Sequence, residues 1–388
     1  MTKSWLTELE GLRGLAALWV FSVHISIMSG TNIPIVSWGA LGVDLFILLS
    51  GFLMVHQYEQ RKESHPWSES RAIGHFWCRR FFRIAPLYYV LLVVAFSAGP
   101  LMESSRLYIG RHYPTSMTNG LRYTDRSWAN ILTHLSFVFG FLPHFSFRTA
   151  LPDWSIGLEM QFYLLFPFLM LVVLRVGYVW MTFGTIFLTI GSYYAFPAFF
   201  HSFPMASFLP LRINLFLLGM LIAAAFHKLL HNVHIFIVLL PLVSFVVAQQ
   251  KTKLGVLADI ILASILFMIT GNNERLRPVL APIRWLLNAR VIQMLGDISY
   301  SVYLAHLLLI MPICAVLLHF RQVTSMPELV RYSFLFGVSA LFVLPVSILL
   351  YHGVEKPGIE FGKRLLGVPV AATIVKDKVG SLGQKVSR

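Results

Sequence analysis

Charge is scarce in this chain. Asp, Glu, Lys and Arg make up only 12% of its 388 residues, about half the share of an ordinary soluble domain. With 57% of the residues hydrophobic, that shortage excludes a water-soluble globule, whose single core could not absorb so much apolar surface. Cysteine is nearly absent. Cys78 sits beside an arginine pair and Cys314 deep in a late apolar run, so a disulfide framework is excluded, and zinc binding and redox chemistry have no residues to support them. No metal site is expected. No Asn-x-Ser/Thr glycosylation acceptor occurs, which fits a bacterial origin. The net charge of +14 gives no reason to expect a nucleic acid partner, because membrane proteins keep Lys and Arg on their cytoplasmic side.

What the chain has instead is a series of apolar runs of about twenty residues, long enough to cross a hydrocarbon layer of roughly 30 Å as helices. They fall at 12–30, 38–56, 82–99, 154–174, 178–196, 209–226, 232–248, 254–270, 297–319 and 329–352. The first is not a removable signal peptide, since it carries Arg13 and His24 and no small-residue cleavage site follows. The expected fold is all-α, a polytopic integral membrane protein of about ten transmembrane helices. An even number of spans puts both termini on one side. With both inside, about two-thirds of the 31 lysines and arginines lie on the cytoplasmic side, which supports an N-in, C-in arrangement.

The longest connection, 100–152, then lies outside, polar at first and apolar over 128–147, where an interfacial helix is expected. The stretch 279–295 alternates apolar residues with Arg284 and Arg290 and reads as one amphipathic helix on the cytoplasmic surface. Residues 1–357 form the membrane domain and 358–388 a basic cytoplasmic tail, whose end is read as mobile. No internal repeat or appended soluble domain is visible.

Ionisable groups within a bilayer cost at least ~2.5–3.5 kcal/mol each, so they are functional suspects. Arg13 and His24 are eleven residues apart, about 20° past three full helical turns, and so share one face about 16.5 Å apart along the axis. Arg13 falls at the inner mouth and His24 about two-thirds of the way across. Asp44 and Glu159 each lie roughly 9–10 Å below the outer face, near the level of His24. If those three faces converge, a carboxylate would fix the tautomer of His24 and raise its basicity, as a general base requires.

Arg79, Arg80 and Arg83 cluster at the inner end, level with Arg13, and guanidinium forks match phosphate oxygens. A polyanionic end below and a reactive end above describe coenzyme A. Plainer readings stand beside these. The three arginines could be retention charges, Asp44 a brace between helices, His24 packing glue, and His306 either a ligand contact or a structural partner. Asp259, with no motif around it, reads as structural.

Six segments in order resemble the acyltransferase-3 family of integral membrane acyltransferases. They are Glu-Gly-Leu-Arg13 with His24 eleven residues on; Gly42-Val-Asp44-Leu-Phe-Ile-Leu-Leu-Ser-Gly-Phe-Leu53; Phe76-Trp-Cys-Arg79-Arg80-Phe-Phe-Arg83-Ile-Ala-Pro-Leu-Tyr88; Trp154-Ser-Ile-Gly-Leu-Glu159-Met-Gln-Phe-Tyr163; Leu295-Gly-Asp-Ile-Ser-Tyr-Ser-Val-Tyr303-Leu-Ala-His306; and Glu355-Lys-Pro357. The resemblance implies an enzyme that takes an acyl group, usually acetyl, from cytoplasmic acyl-CoA and delivers it to a hydroxyl of an extracytoplasmic glycan or lipid-linked sugar. It implies His24 as the catalytic histidine, Glu159 as its catalytic partner, and Arg13, Arg80 and Arg83 on the donor side. Asp44 joins the catalytic candidates, and Arg79, Tyr303 and His306 the donor-binding ones. Acyl-CoA is the expected donor substrate, with no tightly bound cofactor, and a bacterial inner membrane is the expected setting. Some relatives carry a secreted esterase-like domain, for which the residues after the last span leave no room. The rival from another class is a proton-coupled transporter of a small anion or sugar, which also needs buried His and Glu, but no inverted repeat or Gly/Pro-broken helix pair accompanies them. A non-catalytic scaffold would leave Arg13, His24 and Glu159 without a return for their desolvation.

The topology is open to direct measurement. Single cysteines at Ser64, Thr118 and Ser381 in a cysteine-free background should react with a membrane-impermeant reagent in intact cells only at Thr118. Labelling of position 381 from outside would overturn the N-in, C-in arrangement.

Overall fold

The computed structural model describes residues 4–34, 36–63, 70–230, 253–271 and 277–367. Every regular element among them is helical, as a chain in lipid requires when each backbone N–H and C=O must be satisfied within its own segment. The helices that position the site are α1 (Ser4–Ser29), α2 (Ala40–Arg61), α3 (Ser70–Ser97), α4 (Gly99–His112), α5 (Trp128–Leu135), α6 (Trp154–Ala195), α7 (Ile213–Phe226), α8 (Lys253–Thr270), α9 (Arg277–Leu287), α10 (Arg290–Asp297), α11 (Ser299–Leu317), α12 (Glu328–Leu350) and α13 (Lys356–Leu365).

Nine of the ten expected spans coincide with helices, and the tenth, 232–248, lies outside the described residues. Among the described residues six helices are long and apolar enough to cross a membrane. The difference has two sources. α6 runs for 42 residues, but Gly177 interrupts it with φ 80° and ψ 167°, a backbone conformation that glycine adopts without penalty. The two expected spans 154–174 and 178–196 meet there. α7 is only 14 residues, about 21 Å at 1.5 Å per residue, and the apolar part of α8, Leu257–Thr270, is as short.

α2 and α7 pack backbone to backbone. A Cβ at Gly51 would overlap the carbonyl of Phe216, and one at Gly219 the carbonyl of Leu48. Small residues let apolar helices approach this closely where lipid offers no hydrophobic drive to association. The stack of Phe162 on Phe216, centroids 3.9 Å apart, brings α6 against the same crossing. α1 is enclosed by α2, α11 and α12 on its sides and by α9 and α10 around its first turns.

Two local expectations are corrected. The stretch 279–295 is two helices rather than one, because the backbone turns extended at Ala289 (φ −62°, ψ 137°). The break lets both pieces wrap the start of α1, where Gly11 abuts Leu287 and Gly14 abuts Ile292 and Gly296. The third apolar run begins at 82, yet α3 begins twelve residues earlier, so Arg79 and Arg80, which precede that run, project with Arg83 from the body of one helix.

The 128–147 region holds α5, capped by Ser127 Oγ, which accepts from the Asn130 backbone N–H at 3.2 Å. Trp128, Leu132 and Leu135 leave one apolar face of it exposed, the pattern of a helix lying at an interface. At the other end of the bundle a π-helical segment (Tyr351–Glu355) leads from α12 into α13, which packs on α3. The expected tail thus begins inside an ordered helix, and its residues after 367 lie outside the described set.

Candidate active site

A cavity of about 510 Å³ opens among α1, α2, α3, α6, α11 and α13. Six cationic side chains line it, Arg13, Arg61, Arg79, Arg80, Arg83 and Lys363, against two carboxylates, Glu10 and Glu159. The four arginines expected to lie together on the donor side are therefore in one chamber. Lys363 carried no signal of its own, since it lies beyond the last span, where its direction depends on how α13 docks.

Some of these cations are held by the protein itself. Arg83 Nη1 donates to Glu355 Oε1, and Glu355 Oε2 accepts from Ser301 Oγ at 2.6 Å. The Glu355 side chain is fully buried, and the π-helical segment is what points it at α3. Arg80 donates to Gln57 Oε1 and lies over the rings of Phe76 (5.7 Å) and Tyr163 (5.4 Å), a geometry that favours a guanidinium. Arg13 and Arg79 have no carboxylate within ion-pair distance among the described residues. With Lys363, which also lines the chamber, they are cations available to an anion from elsewhere.

Glu159 also faces the cavity. Its Oε1 accepts from Ser50 Oγ (3.0 Å) and from the Tyr163 hydroxyl. Tyr163 is one helical turn after Glu159, a neighbour that i, i+4 spacing makes readable in the sequence. Beyond Glu159 the chamber ends at Tyr303, whose hydroxyl donates to Pro152 O (2.9 Å) and pairs with Ser155 Oγ (2.6 Å).

His24 and His306 are not in the cavity lining. They form a pair one layer past Tyr303, which is one turn from His306, with ring centroids 4.8 Å apart. The hydrogen bonds around the pair assign both tautomers. His306 Nδ1 lies 2.6 Å from Tyr303 O and 3.2 Å from Val302 O. Carbonyl oxygens only accept, so this nitrogen carries the proton and His306 Nε2 presents a lone pair. That lone pair faces His24 Nδ1 at 3.1 Å, which also lies 2.9 Å from Val20 O. His24 Nδ1 is therefore the protonated nitrogen, and Nε2 of His24 is left as an unshared base. The assignment rests on hydrogen-bond chemistry.

The expected meeting of His24, Asp44 and Glu159 does not occur. Asp44 is buried, with Oδ1 3.8 Å from Arg212 Nε at the start of α7. It braces α2 against α7, which is the plainer of its two sequence readings. Its neighbours Val43 and Phe46 line the cavity, while the helical rotation turns Asp44 away. His24 has no carboxylate partner among the described residues. A second histidine takes the orienting role that a carboxylate was expected to fill.

Together the fold and site define a multi-pass α-helical membrane protein with a basic chamber beneath a pair of histidines, His306 buried and His24 half-buried. The chain belongs to the acyltransferase-3 family, whose acyltransferase domain matches it over residues 6–352. It is 29% identical over 178 residues to the peptidoglycan O-acetyltransferase OatA of Listeria monocytogenes, a match covering 45% of this chain and 25% of that protein. A Staphylococcus aureus (strain COL) protein provisionally named an O-acetyltransferase is 26% identical over 170 residues, 44% of this chain and 25% of its own length. BcsY of Komagataeibacter xylinus, provisionally named a membrane-bound transacylase, is 30% identical over 159 residues, 40% of this chain and 35% of that one. The matched stretches thus span a quarter to about a third of these relatives. No solved structure matches the chain.

The histidine pair predicts a specific mutational pattern. His306→Leu removes the acceptor for His24 Nδ1–H and should lower turnover about tenfold to a hundredfold, a part of the 10²–10⁴ that a general base contributes, with donor affinity unchanged. His306→Gln, which keeps an acceptor near the position of Nε2, should recover much of the loss. Equal activity of the Leu variant and the parent would remove His306 from the site.

Proposed function

We propose that the protein is a membrane O-acyltransferase that moves an acyl group, acetyl in the first instance, from cytoplasmic acyl-CoA to a hydroxyl of an extracytoplasmic or lipid-linked glycan. One observation carries this reading: a chamber with six cations against two carboxylates ends at Tyr303, one layer before the His306–His24 pair, in which His24 Nε2 has no partner among the described residues. A polyanion with a long neutral arm and a reactive tip fits that sequence of environments. Family membership supports the reaction class, and the relatives named as O-acetyltransferases support oxygen as the acceptor atom.

In this mechanism Arg13 and Arg79, with Lys363, bind the CoA phosphates through charge-assisted hydrogen bonds. Arg80, held by the neutral Gln57, supplies fixed positive potential, and the Arg83–Glu355 pair holds α3 to the end of α12. The pantetheine arm runs past Glu159 toward Tyr303 and brings the thioester to His24. His24 Nε2 takes the proton of the sugar hydroxyl as its oxygen attacks the acyl carbon. The C–O bond forms, the C–S bond breaks, and the proton passes from His24 to the departing CoA thiolate. A variant in which His24 carries the acyl group covalently between two transfers would show ping-pong kinetics. In either case the inner membrane of a bacterium gives the two substrates their separate compartments.

The donor and chemical steps separate by mutation. Arg83→Ala is a poor probe, because it strands the buried Glu355 carboxylate, a loss of about 3–5 kcal/mol in such pairs. Arg79→Gln leaves no carboxylate orphaned. It should weaken CoA binding by about 1.5–3 kcal/mol, roughly ten- to a hundredfold, in calorimetry on purified protein. His24→Ala should bind CoA normally and lose turnover by about 10²–10⁴-fold, read as free-thiol release from acetyl-CoA and as glycan acylation. Normal acylation by His24→Ala would refute the catalytic assignment. Absence of any thiol release by the parent with acetyl-CoA and acceptor glycan would refute the reaction.

A further inference from the structure

At the opposite end of the bundle from the basic chamber lies a second cleft of about 440 Å³, built by the 119–148 region with Ser202 and Pro204. Its floor is Arg122, only 7% exposed. The guanidinium Nε donates to Thr149 O at 2.9 Å, and its carbon lies 3.8 Å from the centroid of the Phe147 ring. Arg148 stands on the wall, with Nε donating to His144 O at 3.0 Å and Nη2 3.5 Å from His144 Nε2. Asn119 lies on the rim, its Oδ1 already accepting from Leu121 N–H at 2.9 Å, so its amide N–H₂ remains as a donor. Among its polar groups the lining offers chiefly N–H donors and positive charge, set beside the apolar Pro143, Phe147 and Pro204.

Neither arginine has a carboxylate within ion-pair distance among the described residues. Asp153, whose charge bears on Arg122, is engaged elsewhere: its Oδ2 accepts from Thr149 Oγ1 at 2.6 Å and lies 3.6 Å from His134 Nε2. Burial pushes the Arg122 pKa down, the response of a desolvated cation with too little counter-charge. This end of the bundle also holds Arg106, buried on α4, with Nη1 against Met28 Sδ at 3.0 Å and Nε without a partner. An anion in the cleft would supply the missing charge.

A short stretch of backbone separates the cleft from the histidine pair. Thr149 O holds Arg122, and three residues on Pro152 O accepts from Tyr303, one turn before His306. We propose that this cleft is an acceptor subsite for an acidic sugar. The carboxylate or phosphate of a glycan residue sits on Arg122 and Arg148, and a hydroxyl of the adjoining sugar is directed toward His24. This deepens the function proposed above and rests on it for the direction of transfer.

The test is a binding measurement on the full chain in detergent without acyl donor, using an oligogalacturonate and its carboxyl-reduced counterpart of the same length. The acidic oligosaccharide should bind at least tenfold more tightly than the neutral one. Arg122→Gln and Arg148→Gln should each weaken it by about ten- to a hundredfold, as loss of a charge-assisted bond predicts. CoA binding at the other end should be unchanged in both. Arg148 is half-buried and its side chain hydrogen-bonds only to His144 among the described residues, so that variant remains informative should the buried Arg122→Gln misfold. Equal affinity for acidic and neutral sugars, or a folded Arg148→Gln protein that binds like the parent, overturns the proposal. Loss of oligosaccharide binding in phosphatidylglycerol nanodiscs, with retention in phosphatidylcholine nanodiscs, would assign the cleft to a lipid headgroup and also overturn it. Retained oligosaccharide binding in a protein that neither binds CoA nor releases thiol would refute the donor reading while leaving an acidic-sugar site in place.

Discussion

A cation inside an apolar bundle must find counter-charge, and the architecture around the chamber follows from how each cation does so. Arg83 has Glu355, fully buried and itself held by Ser301. Arg80 has Gln57 and the faces of two rings. Arg212 has Asp44. Arg13 and Arg79 make no ion pair among the described residues, although Glu10, Glu159 and Glu355 lie near enough to act on Arg13 through space. Internally compensated charges fix helices, and uncompensated ones are open to a ligand, so the pattern of pairing divides the basic residues into scaffold and site.

The scaffold is rigid where it must be. Backbone contact at Gly51 and Gly219 sets α2 against α7, and the Asp44–Arg212 pair locks the same two helices at their other end. With α2 fixed, Ser50 and Gln57 are fixed as well, and with them the orientation of Glu159 and Arg80. The first turns of α1 are clasped by α9 and α10, so that Arg13 and His24 stay on a helix that cannot rotate without separating Gly11 and Gly14 from their neighbours. Precision of this kind is what a site built on helices rather than loops provides.

Much of this was legible in the sequence. Apolar run length located eight of the helices, two runs sharing α6, since a span in lipid has few alternatives. The shared face of Arg13 and His24 followed from helical geometry alone, and the gathering of Arg13, Arg79, Arg80 and Arg83 from their common level. What was hidden depended on rotation and on distant partners. Asp44 was at the right depth but on the wrong face of α2. His306, read as a ligand contact or a structural partner, proved to touch His24 from a helix nearly three hundred residues away. Glu355 appeared only within a short motif, because nothing local announces a π-helical turn that aims it at Arg83. The break at Ala289 was likewise invisible, as it answers to the shape of α1 rather than to its own sequence.

The central claim is that the basic chamber holds the polyanionic end of an acyl donor. Calorimetric titration of the purified protein with CoA, 3′-dephospho-CoA and pantetheine tests it most directly, since the three differ in phosphate content and share the thiol-bearing arm. Affinity should fall in that order, steeply to pantetheine, and the difference should shrink as ionic strength rises. Pantetheine binding as tightly as CoA, with no dependence on salt, would contradict it.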